Sequence, residues 1–330
     1  MNNIENEYKS IITRVGFSLL FFLVISNLLT CGTQVISLIL RNFDPNSDVV
    51  YIATELASII AYIVSFVLPV PFFYVISKNM LRHPMELSLS LPSPHSGLKL
   101  VLIVFAGMAV ITPMAYINAI LFPVTNEEVL EMFSMSFSKP YMLVLSFIGT
   151  AVVPAFVEEL FFRGLIISNI KPYSKSAAVV ISAITFGLMH QSPTQLLYAT
   201  AAGFVLGVIY VETNSIWCCI TLHFVNNFVS IMHTYLYYIL NENTANIIVT
   251  FGDIITILLG LISIAIVFSA IKKKSRFKQI GVFGSFDAVS ADGVGSVNFF
   301  KSGVLTPTVL IYIIICIIQS VINGSKLSGI

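Results

Sequence analysis

The sequence predicts an all-α, polytopic transmembrane helix bundle, and three observations carry that prediction. Charged residues make up 10% of the chain and hydrophobic ones 57%, whereas an ordinary soluble domain carries roughly 25% charge. The apolar residues gather into runs of about 20, the length at which a helix crosses a hydrocarbon core. The basic residues punctuate those runs asymmetrically. With the N-terminus in the cytoplasm, all of the 17 Lys and Arg except Arg41, Lys139 and Lys326 fall toward the cytoplasmic side, as the positive-inside rule requires. An integral membrane protein follows, expected in the plasma membrane with a cytoplasmic N-terminus and with membrane lipid as its first partner. Net charge is +1, and nothing in the sequence suggests a nucleic-acid partner.

Taken in order, eight spans are expected. The polar start, Met1 to Arg14, carries no small-residue cleavage site after a short apolar core, so the first helix (11–40) is read as retained. Pro45 marks the turn after it, and a second helix covers 50–76. A loop with Lys78, Arg82, His83, His95 and several prolines leads to a third helix at 98–122. After a loop carrying Glu127, Glu128 and Glu131, a fourth helix runs from Pro140 to Lys171-Pro172. The fifth covers 174–190, the sixth begins at Pro193 and ends near 211, the seventh is 216–240 and the eighth 247–271. The basic run Lys272 to Lys278 is a cytoplasmic anchor. Residues 281–300 read as a Gly- and Ser-rich loop, and 304–322 is a candidate ninth span shortened by Pro307. The expected organisation is therefore N-terminal helices within 1–139, a core of four helices within 140–240, and an eighth helix, loop and last apolar segment within 241–330. The four cysteines, Cys31, Cys218, Cys219 and Cys316, show no CxxC spacing and suggest neither a disulfide framework nor a thiolate metal site.

Charged residues at bilayer depth are expensive and read by default as functional. The fourth helix holds three: Glu158, Glu159 and Arg163. Residues four apart share a helix face, so Glu159 and Arg163 can pair. Glu158 points about 100° away and is left to face a cavity with no partner on its own helix. A desolvated carboxylate so placed suits a general base. The competing reading is a structural ion-pair knot.

Two further polar groups follow. Phe186-xxx-His190 ends the fifth helix, and His223-xxx-Asn227 occupies one face of the seventh, where both side chains can donate to one point. His233 is expected toward the outer end of the seventh helix. Glu55 and Asp253 are expected at the outer starts of the second and eighth, and His83 and His95 take no role. At 1.5 Å per residue, Glu158 lies about 18 Å from the cytoplasmic end of its helix, His190 roughly 24 Å and His223 about 11 Å. Uniform helices would not bring the three to one depth.

In this order on successive helices, Glu158-Glu159-xxx-Arg163, Phe186-xxx-His190 and His223-xxx-Asn227 resemble the three motifs of the CAAX protease and bacteriocin-processing (CPBP) family. Its best-known branch is the type II CAAX prenyl endopeptidase; bacterial members include abortive-infection and bacteriocin self-immunity proteins. The resemblance covers roughly 140–230. It implies an intramembrane endopeptidase acting on a membrane-associated, in some members prenylated, protein or peptide. Glu158 would be the base, and His190 would help to hold and activate the attacking water. His223 and Asn227 would stabilise the oxyanion, with Glu159, Arg163 and Phe186 in support. No cofactor is expected. If the chemistry were metal-dependent, Glu158, His190 and His223 would be the zinc ligands, although no HExxH pair is present. The other readings are a non-proteolytic immunity or scaffold protein of the same family and, more remotely, a transporter, for which the paired repeats with broken helices are missing.

Overall fold

The computed structural model describes residues 2–43, 47–78, 97–123, 136–275 and 306–327, and among these the chain is helical without strands. The expectations for the loops around His83, His95 and Glu127, for residues 281–300 and for the side chains of the basic run fall outside the described residues. Helix α1 is Asn2–Phe43, and α2 (Asp48–Val67) continues into α3 (Pro69–Ser77) with Pro69 at its first position. Helix α4 is Gly97–Leu121. The span Pro140–Ile170, here α5, alternates α- and π-helical segments. Then come α6 (Lys175–Met189), α7 (Pro193–Thr213), α8 (Ile216–Ile239), α9 (Glu242–Ser275) and α10 (Pro307–Leu327).

Eight of these rods are long and apolar enough to cross a membrane, but they are not the eight expected. The last apolar segment is a full helix, because Pro307 stands at its first turn, where a missing N–H costs nothing. The fifth expected span forms a helix within the expected bounds, capped by Ser174 and His190, but it is too short to cross. Helix α6 has 15 residues, about 22 Å of rise, which falls short of a hydrocarbon core of about 30 Å. Its start is fixed by Ser174, whose Oγ accepts from the Ala177 N–H at 3.2 Å, the usual N-cap arrangement.

The bundle is layered around α5. From Phe161 to Ile167 every residue of α5 is buried, with α1, α2, α6, α7 and α8 packed around the rod. Helix α9 lies at the edge against α4, and only 17% of its span window is buried, against 44% for α8. Ile247, Phe251, Leu258, Ile262 and Phe268 of α9 are exposed. So is the outer half of α1, through Val24, Leu28, Val35 and Leu38. In a membrane such surfaces face acyl chains, so they carry no solvation penalty.

Helices α6 and α7 cross closely because glycines remove the obstacle, as small residues do in membrane bundles. A Cβ on Gly187 would lie 2.9 Å from the Leu196 carbonyl oxygen, and one on Gly203 would lie 3.1 Å from the Ala183 Cα. The turn between them is held from outside. Gln191 sits at φ 50°, and its carbonyl accepts from Asn323 Nδ2 of α10 at 2.7 Å. Asn118 of α4 accepts from the Leu197 N–H at 3.2 Å through Oδ1 and donates to the Thr194 carbonyl at 2.5 Å through Nδ2. That side chain satisfies the first turn of α7. These contacts fix the position of His190, the residue before the turn.

Candidate active site

Helix α5 is not a uniform α-helix, and the departures bracket the two glutamates. Residues Ile148–Val152 and Leu160–Ile167 are π-helical, with Val153–Glu159 α-helical between them. Such bulges shift the register of the faces on either side and recur at functional sites. The first has a cause in the sequence: Pro154 has no N–H to give the carbonyl four residues back, that of Thr150. The Thr150 carbonyl accepts instead from Asn227 Nδ2 of α8 at 3.2 Å.

Glu159 and Arg163 pair as the spacing predicts. Arg163 Nη1 donates to Glu159 Oε1 at 3.0 Å, and both side chains have zero exposure. Nη2 donates to the Gly203 carbonyl at 3.0 Å. The guanidinium carbon lies 5.1 Å from the Phe186 ring centroid, within cation–π range. The Glu159 carboxylate is shared with His223, whose Nδ1 lies 2.7 Å from the same Oε1. A carboxylate is an acceptor, so Nδ1 carries the proton and the ring is held in one orientation.

Glu158 faces elsewhere. Its Oε1 accepts from the Tyr62 hydroxyl of α2. Its Oε2 is buried with no hydrogen-bond partner among the described residues and lies 3.8 Å from His223 Nε2. The two glutamates thus flank one imidazole, Glu159 on the Nδ1 side and Glu158 on the Nε2 side. Phe186 joins the second motif to the others. Its ring meets those of His190 and His223 edge-on, at centroid separations of 5.5 and 5.8 Å, and meets Phe162 at 5.0 Å.

Residues from all three motifs therefore gather around one buried region, despite the depth arithmetic. The depth arithmetic assumed uniform α-helices, and the π-helical segments of α5 displace its residues from a uniform rise. One expected arrangement differs in detail. His223 and Asn227 share a face but have separate partners, Glu159 and Thr150. Asn227 also accepts from Asn226 at 3.2 Å, and Asn226 donates to the Tyr198 hydroxyl of α7. Glu55 is part of the α2–α5 contact, its Oε1 lying 3.4 Å from where a Cβ on Gly149 would sit. Sequence reasoning passed over Tyr62, Tyr198 and Asn226. Tyr62 carried a signal, a phenol inside an apolar span whose tip needs a partner. Asp253 is buried, accepts from the Tyr116 hydroxyl and lies 3.7 Å from His233 Nε2. Among the described residues no group of three or more His, Cys, Asp and Glu side chains could hold a metal ion.

Comparison with known proteins supports the reading. Residues 140–229 match the family described as Type II CAAX prenyl endopeptidase Rce1-like. The Bacillus subtilis (strain 168) protein named "Putative membrane peptidase YdiL" is 35% identical over 97 residues, which are 28% of this chain and 37% of that protein. The likeness thus spans little more than a third of that relative's length. No solved structure matches the chain. The matched segment holds Glu158, Glu159, Arg163, Phe186, His190, His223 and Asn227 together, so the similarity to the Rce1-like CAAX endopeptidase family lies in the part of the chain that builds this site.

Proposed function

We propose that the protein is an intramembrane endopeptidase that hydrolyses a peptide bond of a membrane-associated protein or peptide, prenylated substrates included, from within the plasma membrane and with its N-terminus in the cytoplasm. The single observation that carries the reading is the pairing of an unbonded, buried carboxylate oxygen, Glu158 Oε2, with His223 Nε2 at 3.8 Å.

Glu158 Oε2 accepts a proton from water, and the hydroxide attacks the carbonyl carbon of the scissile bond. His190, held beside Phe186, orients that water. As the C=O bond becomes a C–O⁻ single bond, the oxyanion is stabilised by donors already in place. His223 supplies Nε2–H in its imidazolium form, which brings Glu158, Glu159, Arg163 and His223 to zero net charge. Asn227 supplies the amide hydrogen not given to Thr150. Collapse breaks the C–N bond, and the proton held by Glu158 passes to the leaving amine. Glu159 and Arg163 keep the imidazole in the orientation that exposes Nε2. The mechanism uses protein groups alone.

The test is cleavage of candidate membrane-associated peptides, with and without a prenyl group, by the purified protein in proteoliposomes. Cleavage lost on both Glu158→Ala and His190→Ala is the expected result. Cleavage unchanged in both variants overturns the mechanism.

A further inference from the structure

Resting on that endopeptidase reading, we propose that Tyr62 is a positioning residue of the reaction. By donating its hydroxyl hydrogen to Oε1 of Glu158, it masks one carboxylate oxygen and leaves Oε2, the oxygen facing His223, to take the proton from water.

The need for such a device follows from the side chain itself. The terminal torsion of a glutamate is broad and roughly two-fold, so an unrestrained carboxylate presents either oxygen. Arg163 does not select between them, because its hydrogen bonds run to Glu159 and to the Gly203 carbonyl and not to Glu158. Among the described residues Tyr62 is the group that bonds Glu158, and the two oxygens differ accordingly: Oε1 is bonded, Oε2 has no hydrogen-bond partner there.

Tyr62 is itself placed firmly. Its ring lies 4.9 Å from that of Phe66, which packs at 4.7 Å on Phe22 of α1 and at 5.8 Å on Phe161 of α5. One further contact fixes α2 against α5. A Cβ on Gly149 would come within 3.1 Å of Ile59 Cγ1, so the glycine lets the helices approach on the face that carries Tyr62. Ile59 and Tyr62 are three apart and share that face. The three motifs lie on α5, α6 and α8, and Tyr62 makes α2 a fourth contributor.

Tyr62→Phe removes the donor and keeps the ring, so the Phe66 contact survives. In the proteoliposome assay its kcat is expected to fall about ten- to a hundredfold, the loss of one hydrogen bond to a charged group, with KM unchanged because Tyr62 acts through Glu158 and not on the substrate. Two readouts do not need turnover. The infrared carboxyl band of Glu158, identified by its loss in Glu158→Gln, should shift in Tyr62→Phe. A 3-fluorotyrosine placed at position 62 should change its ¹⁹F resonance on Glu158→Leu. An unmoved band together with an unmoved resonance overturns the proposal, as does a parental kcat in Tyr62→Phe. Cleavage surviving Glu158→Ala sinks the endopeptidase mechanism instead, and the two spectroscopic readouts still decide whether Tyr62 sets the carboxylate.

Discussion

The molecule contains the same three-part arrangement twice, at different depths in the bundle. In the core, Tyr62 of α2 donates to Glu158, whose other oxygen faces His223 Nε2 at 3.8 Å. At the edge, Tyr116 of α4 donates to Asp253 Oδ2 of α9 at 2.7 Å, and the other oxygen faces His233 Nε2 of α8 at 3.7 Å. What differs is the surrounding support. His223 and Glu158 have side-chain exposures of 6% and 2%, His233 and Asp253 of 29% and 9%. In the core a second carboxylate, Glu159, binds the far nitrogen of the imidazole, and Arg163 compensates its charge. Among the described residues His233 has Asp253 alone within ion-pair distance. A tyrosine, an acid and a histidine therefore do not by themselves make a reaction site. On the proposed mechanism a second pair fixes the histidine, and the site is closed to bulk solvent. The edge cluster has the composition of a site and the construction of a clamp between α4, α8 and α9.

The largest expected contrast is in turnover. Glu158→Gln, which keeps the shape and removes the base, should lower cleavage about 10²–10⁴-fold, the usual contribution of a positioned general base. Asp253→Asn should leave the rate at the parental level in the same assay. A comparable loss in both variants would break the distinction between core and edge.

Next in size is the stability of the pair that supports the imidazole. Arg163→Met leaves Glu159 as an uncompensated buried charge, which costs about 3–5 kcal/mol and should appear as a large drop in the midpoint of thermal unfolding in detergent. Adding Glu159→Gln removes that charge and should recover part of the loss. If the double variant were worse than Arg163→Met alone, the pair would not be acting as a charge unit. Loss of His233 from its more exposed pair should cost about 0–1 kcal/mol.

The crossing beneath the site gives a smaller effect. Gly203 offers its carbonyl to Arg163 and its missing side chain to Ala183 and Phe186. Gly203→Ala should cost about 1–3 kcal/mol through overpacking. It should also lower kcat, since Phe186 touches both imidazoles. An equal cost with parental kcat would show that Phe186 can shift without moving them.

What could be read from the sequence was local. The pairing of Glu159 with Arg163 and the separation of Glu158 from it follow from helical spacing, and the structure has both. The membrane class and the spans followed from run lengths, except where length misled: α6 is too short to cross, and the last apolar segment is a whole helix. What escaped was set by contacts distant in sequence. Nothing local to Tyr62 says that its hydroxyl meets a residue 96 positions later, or that Asn118 will satisfy the start of α7. The depth arithmetic assumed uniform α-helices, whereas α5 alternates between two helical types. Pro154 was the visible warning, since the Thr150 carbonyl it leaves without its usual donor is where Asn227 docks.

The smallest expected effect tests the comparison most directly, because it repeats one substitution in both clusters. Tyr116→Phe removes the hydroxyl that bonds Asp253 as Tyr62→Phe removes the one that bonds Glu158. At the edge the loss should be about 1 kcal/mol of stability, the net value of a hydrogen bond. The variant should unfold slightly earlier and cleave at the parental rate. In a double-mutant cycle the cost of Tyr116→Phe should shrink in the Asp253→Asn background, since the two side chains share one bond. The twin substitutions thus separate a hydroxyl that holds helices together from one that directs a carboxylate. A loss of kcat in Tyr116→Phe matching that of Tyr62→Phe would mean that α9 transmits to the core, and the edge cluster would then belong to the working site.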